Sequence, residues 1–196
     1  MINNKKILAV VLARKNSKGL PGKNIKNLNG KPLVAWPIST AKKSKYIDKI
    51  ILSTDCKEIA SIGETYGAII PFIRPDNLSE DNSRSEDALI HAIDFLDLER
   101  EHYDYVVLLE PTSPLTEAFD IDRALEQLIN NTFSYTALVS IGEVTASHPL
   151  FCFSLDQNMA IKPYSSEQNE ITIPRRQDIN PLFFCDGSLY ISSIKE

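Results

Sequence analysis

Ile7-Leu-Ala-Val-Val-Leu-Ala-Arg-Lys-Asn-Ser-Lys-Gly-Leu-Pro-Gly-Lys-Asn24 changes character at one point: seven apolar residues run from Ile7 to Ala13, and a loop with four cations and two glycines follows at once. A continuous apolar run of that length fits a strand buried on both faces, as in the centre of a parallel sheet. In open parallel sheets ligands sit beyond the carboxyl ends of the strands, which is where the Arg14 to Lys23 loop would emerge. Gly19 and Gly22 would let backbone amides approach phosphate oxygens. Arg14 can fork onto one phosphate, and Lys18 or Lys23 can neutralise another. This is not a Walker loop, which needs Gly where Ser17 stands and Ser or Thr where Asn24 stands, and the dinucleotide fingerprint G-x-G-x-x-G is absent. Taken on composition alone, the stretch reads equally well as a solvated lysine-rich turn.

The rest of the chain repeats the strand pattern. Ile7 to Ala13, Lys49 to Ser53, Ile69 to Phe72, Tyr105 to Leu109 and Thr136 to Ile141 are rich in Val, Ile and Leu. Between them lie helical spacings: Ile59, Ile62 and Tyr66 after Asp55; Leu89, Ala92, Ile93 and Leu96 after a Ser85 cap; and Ile121, Ala124, Leu125, Leu128 and Ile129. This alternation predicts an α/β fold, a three-layer sandwich with a mainly parallel sheet. Pro32 suits the first turn of the helix after the first strand, whereas Pro37 would remove a donor inside it, so that helix starts late or kinks. From about Thr145 the alternation stops. Short apolar pieces (Leu150 to Leu155, Phe183 to Cys185, Ser188 to Ile191), a polar turn at Asp156-Gln157-Asn158 and prolines at 163, 174 and 181 suggest hairpins, an arm over 145–191 within a single 1–196 domain. The arm is rich in Phe, Leu and Ile and lacks a helix to cover it, so it is expected to pack across a two-fold axis in a homodimer.

Charge narrows the ligand class. Eleven of the 21 Lys and Arg lie before Asp48 and none of the 26 acids does, although the net charge is -5. That balance argues against nucleic acid or an anionic membrane as partner and for a small polyanion bound at one place. No apolar run approaches membrane-spanning length, and Arg14 follows the longest one without a cleavage site, so the chain reads as cytoplasmic. Cys56, Cys152 and Cys185 fit neither a disulfide framework nor paired zinc ligands and read as small buried hydrophobes.

Four segments in order, Arg14-x-x-Ser17-x-Gly19-x-x-x-Lys23-Asn24, Ser53-Thr54-Asp55, Arg74-Pro75 with Leu78 and Asp81, and Pro111-Thr112-Ser113-Pro114-Leu115, resemble the acylneuraminate cytidylyltransferase family. The resemblance extends to Arg176-Gln177 and Gly187-Ser188-Leu189-Tyr190-Ile191 and runs from Ile7 to Ile191. It implies a Rossmann-like nucleotidyltransferase fold of the nucleotide-diphospho-sugar transferase type with a small dimerisation arm. It also implies an activity that moves CMP from CTP to a nine-carbon α-keto sugar acid (sialic, legionaminic or a related nonulosonic acid), with Mg2+ as cofactor. Carried over residue by residue, it makes Ala13, Arg14, Ser17, Gly19, Lys23, Asn24, Arg74, Ser85 and Glu110 the nucleotide-binding set. Arg14 and Lys23 hold the triphosphate and act catalytically, Asn24 contacts the nucleoside, and Arg74 and Ser85 read cytosine. Arg176, Gln177, Tyr190 and His148 would face the sugar acid. No residue stands out as a general base: His91 and His102 read as structural or solvated.

The chain departs from the family at three points. Glu110 replaces the usual Gln before Pro-Thr-Ser-Pro, placing an anion where a ribose hydroxyl or a metal would be met. Phe151 stands where sialic-acid members often have Lys after His-Pro-Leu, which favours a nonulosonic acid more hydrophobic at that edge. The family's Asp-x-Asp metal motif follows the Gly-Ser-Leu-Tyr-Ile strand, beyond Glu196. On that ground no metal ligands are assigned, and the alternative expectation is a nucleotide-binding remnant or dimerising domain without turnover. A related cytidylyltransferase acting on an eight-carbon keto acid is disfavoured, since that family has a different first loop and an Asp-Glu pair where Thr112-Ser113 stand.

Overall fold

A strand apolar along its whole length needs a neighbour on each edge and cover on each face. The computed structural model gives the Ile7–Leu12 strand both; it describes residues 2–131, 134–145, 147–164 and 175–195, apart from the side chain of Arg176. Pro174, one of the breakers of the expected arm, lies outside the described residues. In chain order the elements are β1 (Ile7–Leu12), β2 (Asn27–Leu28), β3 (Lys31–Pro32), α1 (Ala35–Ala41), β4 (Lys49–Ser53), α2 (Lys57–Tyr66), α3 (Ser85–Leu98), β5 (Tyr105–Leu109), α4 (Ala118–Asn130), β6 (Ala137–Glu143), β7 (Phe153–Leu155), β8 (Ile161–Pro163) and β9 (Phe183–Ser193).

The sheet runs β4-β1-β5-β9-β6. β1 is parallel to β4 (Leu8 opposite Lys49) and to β5 (Ile7 opposite Tyr105), whereas β9 is antiparallel to β5, with Leu108 opposite Tyr190. Ser193 N–H donates to Thr136 O and Leu189 N–H to Ser140 Oγ, both at 2.9 Å, so β6 also runs against β9 and parallel to the other three. Period-two alternation then divides β1 between two layers. Ile7, Ala9 and Val11 join Val107, Ile38 of α1, Ile59 of α2 and Leu125 of α4 on one face, while Leu8 and Val10 join Ile51 and Ala92 and Leu96 of α3 on the other. Each fully buried aliphatic side chain contributes about 1.5–3 kcal/mol. The result is the three-layer, mainly parallel sandwich the sequence predicts.

The boundaries differ from expectation where local context overrides pattern. Ile69 to Phe72 forms one bridge, Ile51 to Ile69, not a strand. Pro32 falls in β3, and α1 begins at Ala35, so Pro37 occupies the first turn, where its missing N–H would have no intrahelical acceptor. Ser85 is the first residue of α3 and not its cap; extended Arg84 takes that position with no side-chain capping bond. Cys56 is half-buried and packs against the core, Cys152 is half-buried and Cys185 is exposed, so none is fully buried.

Two compact units result: Met1–Ser140 with Gly187–Glu196, and Ile141–Asp186. Ser188 to Ile191, expected in the arm, lies instead in the first unit as part of β9, because Leu189 and Ile191 complete the core beside β5. The second unit contains the β7–β8 hairpin. Its turn is the predicted polar one, with Asp156 Oδ1 accepting from Asn158 N–H (2.8 Å) and Ala160 N–H (3.0 Å).

Candidate functional site

Three adjacent parallel strands deliver their carboxyl ends to one place. β1 releases the cationic loop after Leu12, β4 ends at Ser53, and β5 ends at Leu109, just before Glu110. Around these ends lies a cavity of about 460 Å³ whose lining includes Arg14, Lys18, Lys23, Arg74 and Arg84, with Glu80 and Glu110 as its acids. Five cations against two carboxylates make it an anion site.

The loop is braced from below. Asn24, only 5% exposed, donates Nδ2–H to Arg14 O at 2.9 Å, and its own carbonyl accepts from Val34 N–H. The side chain thus ties the two ends of the loop together, and the backbone carbonyl holds them to the residue before α1. Gly22 closes the turn at φ 64°, a conformation a residue with Cβ adopts at a cost, while Gly19 is exposed with no atom near its Cβ direction. Lys23 opens a short 3-10 turn and is half-buried. Lys15 N–H donates to Asp55 Oδ1 at 2.7 Å, pinning the loop to the end of β4.

Arg74 is 5% exposed. Its backbone N–H donates to Thr54 O (2.8 Å) and its Nη2 to Ser53 O (3.1 Å), while Nε has no partner among the described residues. Burial lowers the guanidinium pKa from its ordinary value; Asp55 opposes that shift and Arg14 adds to it. A buried guanidinium with an unpartnered N–H has a donor free for an acceptor. Arg14 Nη1 donates to Glu80 O at 2.7 Å, lies 3.5 Å from Ser79 O, and pairs with Asp81 Oδ1 at 3.1 Å. Lys18 Nζ reaches Asp81 Oδ2 at 3.1 Å. Glu110 Oε2 accepts from Thr112 Oγ1 at 3.1 Å.

Of the residues expected from sequence, Arg14, Ser17, Gly19, Lys23, Asn24, Arg74, Ser85 and Glu110 line this one cavity. Ala13 does not: its side chain joins the core and its N–H is spent on Ser53 O. Arg84, which also lines the cavity and pairs with Glu86, went unread because a cation beside two acids resembles a solvated turn. The sugar-side residues fall elsewhere. Tyr190 is half-buried in β9, and His148 and Gln177 belong to the second unit. The side chain of Arg176 lies outside the described residues. His148 is 6% exposed, its Nδ1 accepting from Leu150 N–H at 3.2 Å, and it lines a cavity of about 190 Å³ with Phe151, Asn180 and Glu143. His91 packs edge-on against Phe72, and exposed His102 pairs with Asp97.

An anion cavity at the carboxyl ends of β1, β4 and β5 is the arrangement of a nucleotide-handling α/β protein, and comparison with known proteins places the chain more closely. The cytidylyltransferase family pattern matches residues 8–184, and the chain belongs to that family. It is 36% identical over 195 residues to CMP-N,N'-diacetyllegionaminic acid synthase of Legionella pneumophila, covering 97% of this chain and 79% of that protein. It is 32% identical over 190 residues to pseudaminic acid cytidylyltransferase of Campylobacter jejuni, again 97% and 79%. Among solved structures, CMP:2-keto-3-deoxy-manno-octonic acid synthetase complexed with CTP superposes with a TM-score of 0.69 over 96% of this chain and 74% of that one, at 16% identity, a likeness of fold.

Proposed function

We propose that the chain transfers CMP from CTP to the anomeric hydroxyl of a nine-carbon α-keto sugar acid, of the legionaminic, pseudaminic or sialic kind, and releases pyrophosphate. The observation that carries this reading is the five-cation cavity, in which the residues of the family's first motif converge with buried Arg74. Arg14, Lys18 and Lys23 supply donors to the phosphates, and Arg14 can do so as a fork. The unspent Nε–H of Arg74 and the hydroxyl of Ser85 suit the carbonyl and ring-nitrogen acceptors of cytosine. A site built on such donors rejects a base that leaves them unpaired. Arg176, Gln177, Tyr190 and His148 are the proposed contacts to the sugar acid.

In the reaction the hydroxyl oxygen of the sugar bonds to the α-phosphorus, its proton passing to solvent, while the bond from that phosphorus to the bridging oxygen of the β-phosphate breaks and pyrophosphate leaves. Most of the acceleration comes from alignment and from neutralising charge on the departing pyrophosphate, tasks for Arg14 and Lys23. Among the described residues no group of three or more His, Cys, Asp or Glu could hold a metal by itself. Glu110, at the carboxyl end of β5 in the cavity, is the carboxylate that fits a Mg2+ shared with the triphosphate. Such an ion would supply charge neutralisation at the transferring phosphoryl group. We further propose a homodimer formed through residues 145–191 and a cytoplasmic location; no helix among the described residues is long and apolar enough to cross a membrane.

The test is pyrophosphate release with CTP, Mg2+ and a panel of nonulosonic acids. Release with at least one acid, dependent on CTP over UTP, is the expected outcome. CTP binding without release on any acid would leave a nucleotide-binding protein and overturn the transfer reading.

A further inference from the structure

The cations of the cavity are partly neutralised from within the chain. Asp81 bridges Arg14 and Lys18, one carboxylate oxygen at 3.1 Å from each. The two cations depend on it unequally. Arg14 is also held by the carbonyls of Glu80 and Ser79, so its guanidinium keeps its place without the carboxylate, whereas Lys18 is largely exposed and has Asp81 as its ion-pair partner. Asp81 therefore contributes charge more than position. The hydrogen bond from Lys18 holds its carboxyl below the usual carboxylate range. A phosphate approaching the same donors must displace this carboxylate or share them with it, and two anions a few ångströms apart repel, here softened by the solvent that reaches the partly exposed carboxylate. A ligand bringing one phosphate replaces one bond and keeps the repulsion. A ligand with several phosphates reaches several cations at once and overcomes it.

We propose that Asp81 is a specificity-determining counter-ion of the phosphate loop, setting a charge threshold that admits a nucleoside triphosphate and disfavours ligands with fewer phosphates. The inference rests on the nucleotide reading of the cavity. It assigns the carboxylate a second consequence: Asp81 re-forms its pairs with Arg14 and Lys18 as pyrophosphate leaves, which speeds product release.

Calorimetric titration of CTP, pyrophosphate and inorganic phosphate into the wild type, Asp81→Asn and Asp81→Glu tests this. The Asn variant should bind phosphate and pyrophosphate severalfold more tightly, as suits the removal of one partly exposed charge, with a smaller gain for CTP, so that discrimination narrows. Its CTP binding should also fall more steeply with salt. The Glu variant should retain the wild-type ranking. Unchanged or weaker phosphate binding by Asp81→Asn, with wild-type CTP binding intact, overturns the inference alone. A wild type that binds neither CTP nor pyrophosphate overturns the nucleotide reading and this inference with it.

Discussion

Removing the Arg14 side chain should separate ligand binding from folding. Its guanidinium makes a 2.7 Å bond to Glu80 O, a looser approach to Ser79 O and a 3.1 Å pair with Asp81, all within the loops around the cavity. The Asp81 carboxylate is 44% exposed, so solvent screens the pair and it adds little to folding stability. Arg14→Ala should therefore change the unfolding midpoint in urea very little. Binding is a different matter, because a charge-assisted bond to a phosphate inside the cleft is worth about 1.5–3 kcal/mol. Part of that is already spent on Asp81 and the two carbonyls and must be given up on binding, so a net loss of about 2 kcal/mol is expected, close to a thirtyfold weaker Kd for CTP. Arg14→Lys should recover part of the loss, since it restores the charge without the fork. Isothermal titration of CTP into the three proteins, with urea unfolding as the control, measures both quantities. CTP affinity unchanged in a folded Arg14→Ala protein would refute the assignment of the loop to the phosphates. A large drop in stability would refute the claim that Arg14 serves the ligand more than the fold.

Three further outcomes are expected. If Arg74 and Ser85 read the base, thermal stabilisation should be greater with CTP than with UTP or ATP, and Ser85→Ala should narrow that gap; equal stabilisation of the wild type by ATP and CTP would exclude base reading at this site. Gly63→Ala should cost about 1–3 kcal/mol in urea unfolding, because a Cβ there would stand 2.3 Å from Cδ2 of fully buried Leu52, whose side chain must then shift within a packed core. Light scattering at micromolar concentration should report a dimer if residues 145–191 pack across a two-fold axis, and a monomer would remove that role from the arm.

The strands that carry the site were legible because they are buried on both faces. The Lys49–Ser53 and Tyr105–Leu109 strands appear with the bounds the apolar runs predict, and Ile7–Leu12 is one residue shorter. What escaped the pattern depends on partners far away in sequence. Ser188 to Ile191 has the composition of an arm strand as much as of a central one. Only its register against Val107 and Leu108 of β5, some eighty residues earlier, makes it part of the core. Ile69 to Phe72 shows the converse: four apolar residues that form a single bridge, with Ile69 itself exposed.

The site divides along the same line. Residue types within the first loop announce phosphate chemistry because its cations are neighbours in sequence, and all of Arg14, Lys18 and Lys23 line the cavity. Their counter-ion does not announce itself. Asp81 lies more than sixty residues away, and although the resemblance includes it in the Arg74-Pro75 segment, nothing in that segment pairs it with Arg14 and Lys18. Asn24 lines the cavity, and its bond to Arg14 O also makes it a brace that shapes the loop from beneath, a second task its position in the motif does not show. A motif lists side chains by type, and geometry decides which of them face the ligand, which hold the backbone and which oppose the charge. On the phosphate reading proposed above, those three tasks fall to Arg14, Asn24 and Asp81, the last of which pairs with two of the cavity's cations and is proposed to set how much negative charge a ligand must bring.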